Sequence, residues 1–456
     1  MVNIPIKQFT SFPHVTIQLP IYNESRVVKR LIKSVCAIDY PKDCLQIQIL
    51  DDSTDVTPEI VNTIIEQYKA KGFKIEHRIR GRRYGFKAGA LAEGLKTATG
   101  EYVAIFDADF LPYPEFLKET LKFFTEDSIG MVQTPWDHIN RDYSFLTKAQ
   151  AMFLDTHFSI EQVVRHASGR FFNFNGTAGV WRRRCIKESG GWQADTLAED
   201  LDLSYRAQLN GWKFIYHNKK LSKAELPIQM NSFKNQQKRW IVGTLQVAKK
   251  LLAEVLLSSN PIKVKVDAFF HLTSYLIYLV SLVASVLVVP SILLRLNTRL
   301  SGSIFIDLCL FMVLTVSVFI YHLSAQYACG NRKFFKNVGY NILLVAFSMG
   351  MSISNSAAII ETFVSRKFVF YRTPKLGEIK SRSLNKERRI LQLLRLMPCL
   401  EILLGIYFMI AFNFALAHSM YESLAFLGIF SIGFFYVGIL SIYDYRETRV
   451  PLALKK

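Results

Sequence analysis

The chain has 456 residues, half of them apolar, with a formal net charge of +19 and a mean hydropathy of +0.18. That length allows more than one domain, and that hydropathy is high for an enzyme surrounded by water. The charge would suit nucleic acid, but no recognition fold accompanies it, so nucleic acid is not an expected partner. Basic segments beside apolar runs are instead the ordinary mark of a cytoplasmic membrane face, and an anionic substrate would use part of the remainder. The apolar residues are unevenly placed: strands and helices alternate up to about residue 250, and long apolar runs follow from about 266. The expected organisation is an α/β domain over 1–230, amphipathic interfacial helices over 231–262 and a membrane domain over 263–456. The six cysteines show no CxxC or other metal spacing and read as reduced and structural. The opening stretch MVNIPIKQFTSFPHVTIQLP holds neither a signal peptide nor a spanning helix.

In chain order, VTIQLPIY (15–22) reads as the first strand, followed by Asn23-Glu24 placed to cap a helix over 25–38. Residues 45–50 form a second strand running into Asp51-Asp52-Ser53-Thr54-Asp55. One side chain suffices for a helix cap there, so the Asp51/Asp52 pair is surplus to it. A helix over 57–71 and a strand over 73–79 precede RGRRYGFKAGAL, a basic, glycine-punctuated turn that could meet phosphate.

Next comes EYVAIFDADFLP. Tyr102, Val103, Ile105 and Phe106 suit a buried strand, and at its carboxyl end stand Asp107 and Asp109. Ligands sit at such strand ends in open α/β sheets. Two carboxylates there repel unless a cation lies between them, and hard oxygens suit Mg²⁺ or Mn²⁺. A helix over 114–124 and a strand over 130–133 continue the alternation, which predicts a mostly parallel, doubly wound sheet. FFNFNGTAGVWRRR supplies a small-residue turn at Gly176-Thr177. Glu199-Asp200 opens a helix, where carboxylates are favoured. QQKRW (236–240) lies on an amphipathic helix just ahead of the apolar half.

Together these motifs resemble the processive family 2 glycosyltransferases of the cellulose and hyaluronan synthase type. The wording of DDSTD, GFKAGAL, FDADF, HINRDYS, FNGTAGVWR and QQKRW is most similar to the cellulose synthase-like A and C branch, which makes mannan, glucomannan or β-1,4-glucan backbones. The resemblance runs from about 15 to 442, although the spanning helix that usually precedes the catalytic domain is missing and the TED triplet appears as Thr196-Leu197-Ala198-Glu199-Asp200. It implies a GT-A-type doubly wound domain followed by transmembrane helices. It further implies an inverting, processive transferase that polymerises hexosyl units from a UDP- or GDP-hexose onto a growing polysaccharide. Asp200 and Glu199 would be the catalytic carboxylates, Asp200 as the general base that takes the acceptor hydroxyl proton. Tyr22, Glu24, Asp51, Asp52, Lys87, Asp107, Gln236 and Arg239 would hold the nucleotide sugar. Trp240, Gly176 and Thr177 would hold the acceptor, Asp107 and Asp109 a Mg²⁺ or Mn²⁺ ion, and FYRTPK (Phe370, Arg372, Thr373, Lys375) would form a gating loop.

A span needs roughly 20 apolar residues, which marks 266–294, 303–323, 396–416 and 421–442. A fifth run, 338–364, turns polar at Ser352, Asn355 and Glu361. The basic linker that follows belongs on the cytoplasmic side, so parity makes the fifth run interfacial. The protein is thus expected as a multi-pass protein of the bacterial cell membrane, or the Golgi membrane of a eukaryote, with its catalytic domain in the cytoplasm. Two rival readings remain open. A non-processive lipid glycosyltransferase shares the acidic motifs, though FYRTPK and FNGTAG favour a polymerase. A transporter with a nucleotide-binding regulatory domain has no use for QxxRW, and the chain lacks GxxxxGK.

Overall fold

The computed structural model describes residues 5–7, 11–298, 303–364 and 391–449. The gating-loop residues Phe370, Arg372, Thr373 and Lys375 lie outside them. Among the described residues the α/β half is built on ten strands: β1 (Val15–Ile21), β2 (Leu45–Asp51), β3 (Lys74–Ile79), β4 (Tyr102–Ile105), β5 (Leu111–Pro112), β6 (Ile129–Gln133), β7 (Trp136–His138), β8 (Gly179–Arg182), β9 (Lys213–Tyr216) and β10 (Ser222–Ala224). Seven of them form one sheet in the order β3-β2-β1-β4-β8-β6-β9, and β5-β10-β7 form a second, smaller one. In the large sheet β8 alone runs against its neighbours β4 and β6, so the expected mostly parallel sheet is present with one reversed strand.

The central strands are buried on both faces, as helix-covered parallel strands are. One face of β1 and β2 is polar and cross-linked between the strands: Thr16 Oγ1 donates to Gln46 Oε1 at 2.8 Å and Gln18 Nε2 to Gln48 Oε1 at 3.0 Å. The helix Phe86–Lys96 comes down onto this face through Gly94, where a Cβ would sit 2.6 Å from Gln18 Nε2.

The helix after β1 begins at Val28, later than expected, and no side chain caps it. Glu24 contributes its backbone carbonyl, which accepts the N–H groups of Val27 and Val28. Asn23, at φ 56°, reaches the other way: its Oδ1 accepts the Thr54 N–H at 2.7 Å and its own N–H donates to Ser53 Oγ at 2.7 Å. The pair therefore ties together the loops after β1 and β2, a use of Asn that competes with capping.

QQKRW lies on one helix, Met230–Leu257. Four helical stretches among the described residues are long and apolar enough to cross a membrane: Ile262–Leu294, Phe335–Val364, Leu396–Ala417 and Ser423–Asp444. The 303–323 run belongs to the helix Ser303–Ala328. The segment 338–364, read by parity as interfacial, is thus itself of spanning length, and its Ser352, Asn355 and Ser356 are buried within the protein. The α/β half and the helical region meet in a cluster that packs Met230 and Phe233 against Leu344, Phe347 and Val437. Beside it Lys234 Nζ donates to both oxygens of Glu401 at 2.6 and 2.7 Å, with the two side chains 4% and 0% exposed.

Candidate active site

A cleft of about 210 Å³ opens where β1 and β4 part company at the carboxyl edge of the sheet, the point where the strand order reverses. Tyr22, Glu24 and Asp52 line it from the ends of β1 and β2. Asp107 and Asp109 line it from the end of β4, and Glu199 and Asp200 from the start of the helix Glu199–Leu209. Gln236, Arg239 and Trp240 complete it from the helix Met230–Leu257.

Lys87, in the first turn of the helix Phe86–Lys96, stands between the acids. Its Nζ lies 2.6 Å from Asp107 Oδ1 and 3.6 Å from Glu199 Oε1, and donates to the Gly176 carbonyl at 2.8 Å. Burial works against its ammonium, but Asp107, Glu199 and Asp200 outweigh that and hold its pKa above the ordinary lysine value. Gly176 is at φ +79°, and a Cβ there would lie 2.9 Å from Asp200 Oδ2, so only glycine fits between the turn and the acid. Asp200 is pushed up to about 7, first by burial and then by the neighbouring Glu199, with Lys87 opposing. Its Oδ1 accepts the Leu201 N–H at 2.8 Å, which fixes its rotamer at the helix start.

Two expected residues lie behind the wall. Asp51 is wholly buried and does not line the cleft: it accepts from Ser53 N at 2.8 Å and pairs with His77 Nε2 at 2.8 Å. It braces the loop from which Asp52 faces the cleft, and Asp52 is itself held by the guanidinium of Arg80. Thr177 is 1% exposed, and its hydroxyl accepts the Asp107 N–H at 3.0 Å, so it orients the Asp107 backbone.

Some lining residues carried no signal in the sequence that singled them out. Arg83, within the basic turn, stacks its guanidinium 3.4 Å from the centre of the Tyr22 ring. Glu225 pairs with Arg30 at 2.5 Å, and its N–H donates to Asp109 Oδ2 at 3.3 Å. Trp136 and Asn175 also line the cleft. Arg83 was legible only as one of several basic residues. Glu225 and Trp136 enter through β10 and β7, whose pairing joins segments far apart in sequence.

Among the described residues no group of three or more His, Cys, Asp or Glu side chains is placed to hold a metal ion alone. Asp107 and Asp109 offer two hard carboxylates. That set fits an ion which completes its shell with the oxygens of a bound diphosphate, as Mg²⁺ usually does.

Residues 13–243 match the model of the family described as "Glycosyltransferase like family 2". Over 252 residues the chain is 46% identical to glucomannan 4-beta-mannosyltransferase 1 of Oryza sativa subsp. japonica, covering 54% of this chain and 48% of that protein. It is 44% identical to glucomannan 4-beta-mannosyltransferase 2 of Arabidopsis thaliana over 252 residues, covering 54% and 47%. The chain thus spans about half the length of these curated relatives. Among solved structures it is similar to the mannosyltransferase PcManGT from Pyrobaculum calidifontis in complex with GDP-Man and Mn²⁺. The TM-score is 0.52 at 20% identity, covering 80% of this chain and 92% of that one. That likeness is one of fold.

Proposed function

The chain belongs to the family described as "Glycosyltransferase like family 2", and we propose that it is a membrane-bound inverting β-glycosyltransferase. In this reading it transfers hexosyl units from a nucleotide sugar, GDP-mannose or UDP-glucose, onto a growing mannan-, glucomannan- or glucan-type chain. One observation carries the proposal: Asp107, Asp109, Asp200 and the QxxRW side chains, spread over more than a hundred residues, line a single cleft. The names of the relatives favour mannose.

In this reading Tyr22, Glu24 and Asp52 hold the nucleoside side of the donor. Trp240 offers its flat face to the acceptor sugar, and Asp200 takes the proton from the attacking hydroxyl. A base whose pKa lies near the working pH serves that step best. The acceptor oxygen then bonds to the anomeric carbon as the bond from that carbon to the diphosphate breaks. With one base and no covalent nucleophile, a single displacement inverts an α-linked donor to a β-linked product. Lys87 and Arg239 meet the charge left on the diphosphate. Asp107 and Asp109 would hold a divalent ion, Mg²⁺ or Mn²⁺, which neutralises leaving-group charge when bound. The Phe370–Lys375 stretch is proposed to close over the donor, and the catalytic domain to face the cytoplasm.

The test is a donor screen of the full chain in detergent or lipid discs, with GDP-mannose, UDP-glucose and other nucleotide hexoses, plus Mg²⁺ or Mn²⁺. Product sizing and linkage analysis follow. The expected result is a metal-dependent ladder of β-linked oligosaccharides, lost on adding EDTA. A single glycolipid would replace the polymerase by a lipid transferase, and no turnover of any donor would end the transferase reading.

A further inference from the structure

Beyond Trp240, the helix Met230–Leu257 keeps one stripe turned toward the acids. Gly243, Gln246 and Lys250 follow the cleft-lining positions at helical spacing and meet residues 191–198, which form neither helix nor strand and lead into Glu199 and Asp200. At Gly243 a Cβ would lie 2.7 Å from Ala198 Cβ and 2.9 Å from Ala198 N, so the helix backbone rests directly on this segment. Gln246 Oε1 accepts the Leu197 N–H at 2.8 Å. Lys250 Nζ lies 2.8 Å from Asp195 Oδ2 and 2.8 Å from Asp202 Oδ1, and donates to Gln193 Oε1 at 2.6 Å. One ammonium therefore grips the chain on both sides of Glu199 and Asp200.

The two arms differ in strength. Asp195 is 56% exposed, and an exposed pair contributes little. Asp202 is 0% exposed and pairs through its other oxygen with Arg206 at 2.6 Å. Removing a partner from a buried carboxylate is strongly unfavourable, so the Asp202 arm holds the start of the Glu199–Leu209 helix.

We propose that Gln246 and Lys250 are positioning residues for Asp200, clamping the acid-bearing turn to the helix that carries Gln236, Arg239 and Trp240. The inference rests on the reading of Asp200 as the base. Acceptor platform and base then keep a fixed separation because both are fastened to one rigid rod. A displacement near 1 Å in such geometry lowers rate about 100-fold while binding survives.

The test uses the full chain. Lys250→Met is expected to lower kcat by about 10–100-fold with the donor KM changed less than about twofold, and Lys250→Arg to restore most of it. Gln246→Ala is expected to show the same split more weakly. Wild-type kcat in both variants overturns the clamp. So does a joint fall of kcat, donor affinity and melting temperature that arginine does not rescue, since that is general unfolding. Wild-type protein that transfers no sugar sinks the transferase reading instead, and amide exchange over residues 193–202 then decides. Faster exchange in Lys250→Met upholds the clamp, and unchanged exchange overturns it.

Discussion

As the proposed base, Asp200 would serve chemistry at the expense of stability. Burial and Glu199 hold its pKa near 7, so below that pH it carries a proton and cannot accept another. The kcat/KM of the wild type is therefore expected to reach a plateau above about pH 7 and to fall about tenfold per unit below it; a flat profile from pH 5 to 8 would remove Asp200 from the role. Asp200→Asn is expected to lose about 10²–10⁴-fold in kcat with donor binding retained. The sign for stability is opposite. A carboxyl whose folded pKa lies above its unfolded value contributes stability at low pH that is lost as pH rises through about 7. The same substitution should accordingly raise the melting temperature at pH 8, which calorimetry in detergent would check. At this scale the sequence was legible where motif and geometry coincide, as at Lys87, Asp107 and Trp240. It was not legible at Asp51, because two adjacent carboxylates look alike until one turns inward to His77.

Among the elements, the helix Met230–Leu257 was readable from its amphipathic spacing, and β1, β2 and β4 from their continuous buried runs. The small sheet was not. β5 has two residues and β7 and β10 three each, too few for any period to declare itself, and their pairing is set by tertiary contact. The reversed strand β8 escaped for a related reason, since direction leaves no mark on a four-residue run. What the helical pattern concealed was the demand for glycine at 243. Gly243→Ala places a methyl group 2.7 Å from Ala198 Cβ. Overpacking of that kind lowers stability by about 1–3 kcal/mol, which thermal unfolding should register. An unchanged melting temperature together with unchanged kcat would show that the helix can lift away freely.

At the scale of the whole molecule, the apolar runs disclosed a half built of long apolar helices, but not how it joins the α/β half. The join includes the buried pair of Lys234 and Glu401, 167 residues apart. Glu401→Gln leaves an ammonium without its counter-charge in a closed interior, and breaking such a pair reduces stability by about 3–5 kcal/mol. Replacing both partners by apolar residues, Lys234→Met with Glu401→Leu, should recover most of the loss. The two variants compared by unfolding in lipid discs would test this, and equal melting temperatures would show that the pair is idle. The fastening also bears on how the protein can be dissected. A fragment ending near residue 257 would keep every acid of the cleft, yet strip the QQKRW helix of its anionic anchor Glu401 and of the Leu344 and Phe347 side chains packed beneath it. Such a fragment would own the tools without the bench on which they are aligned.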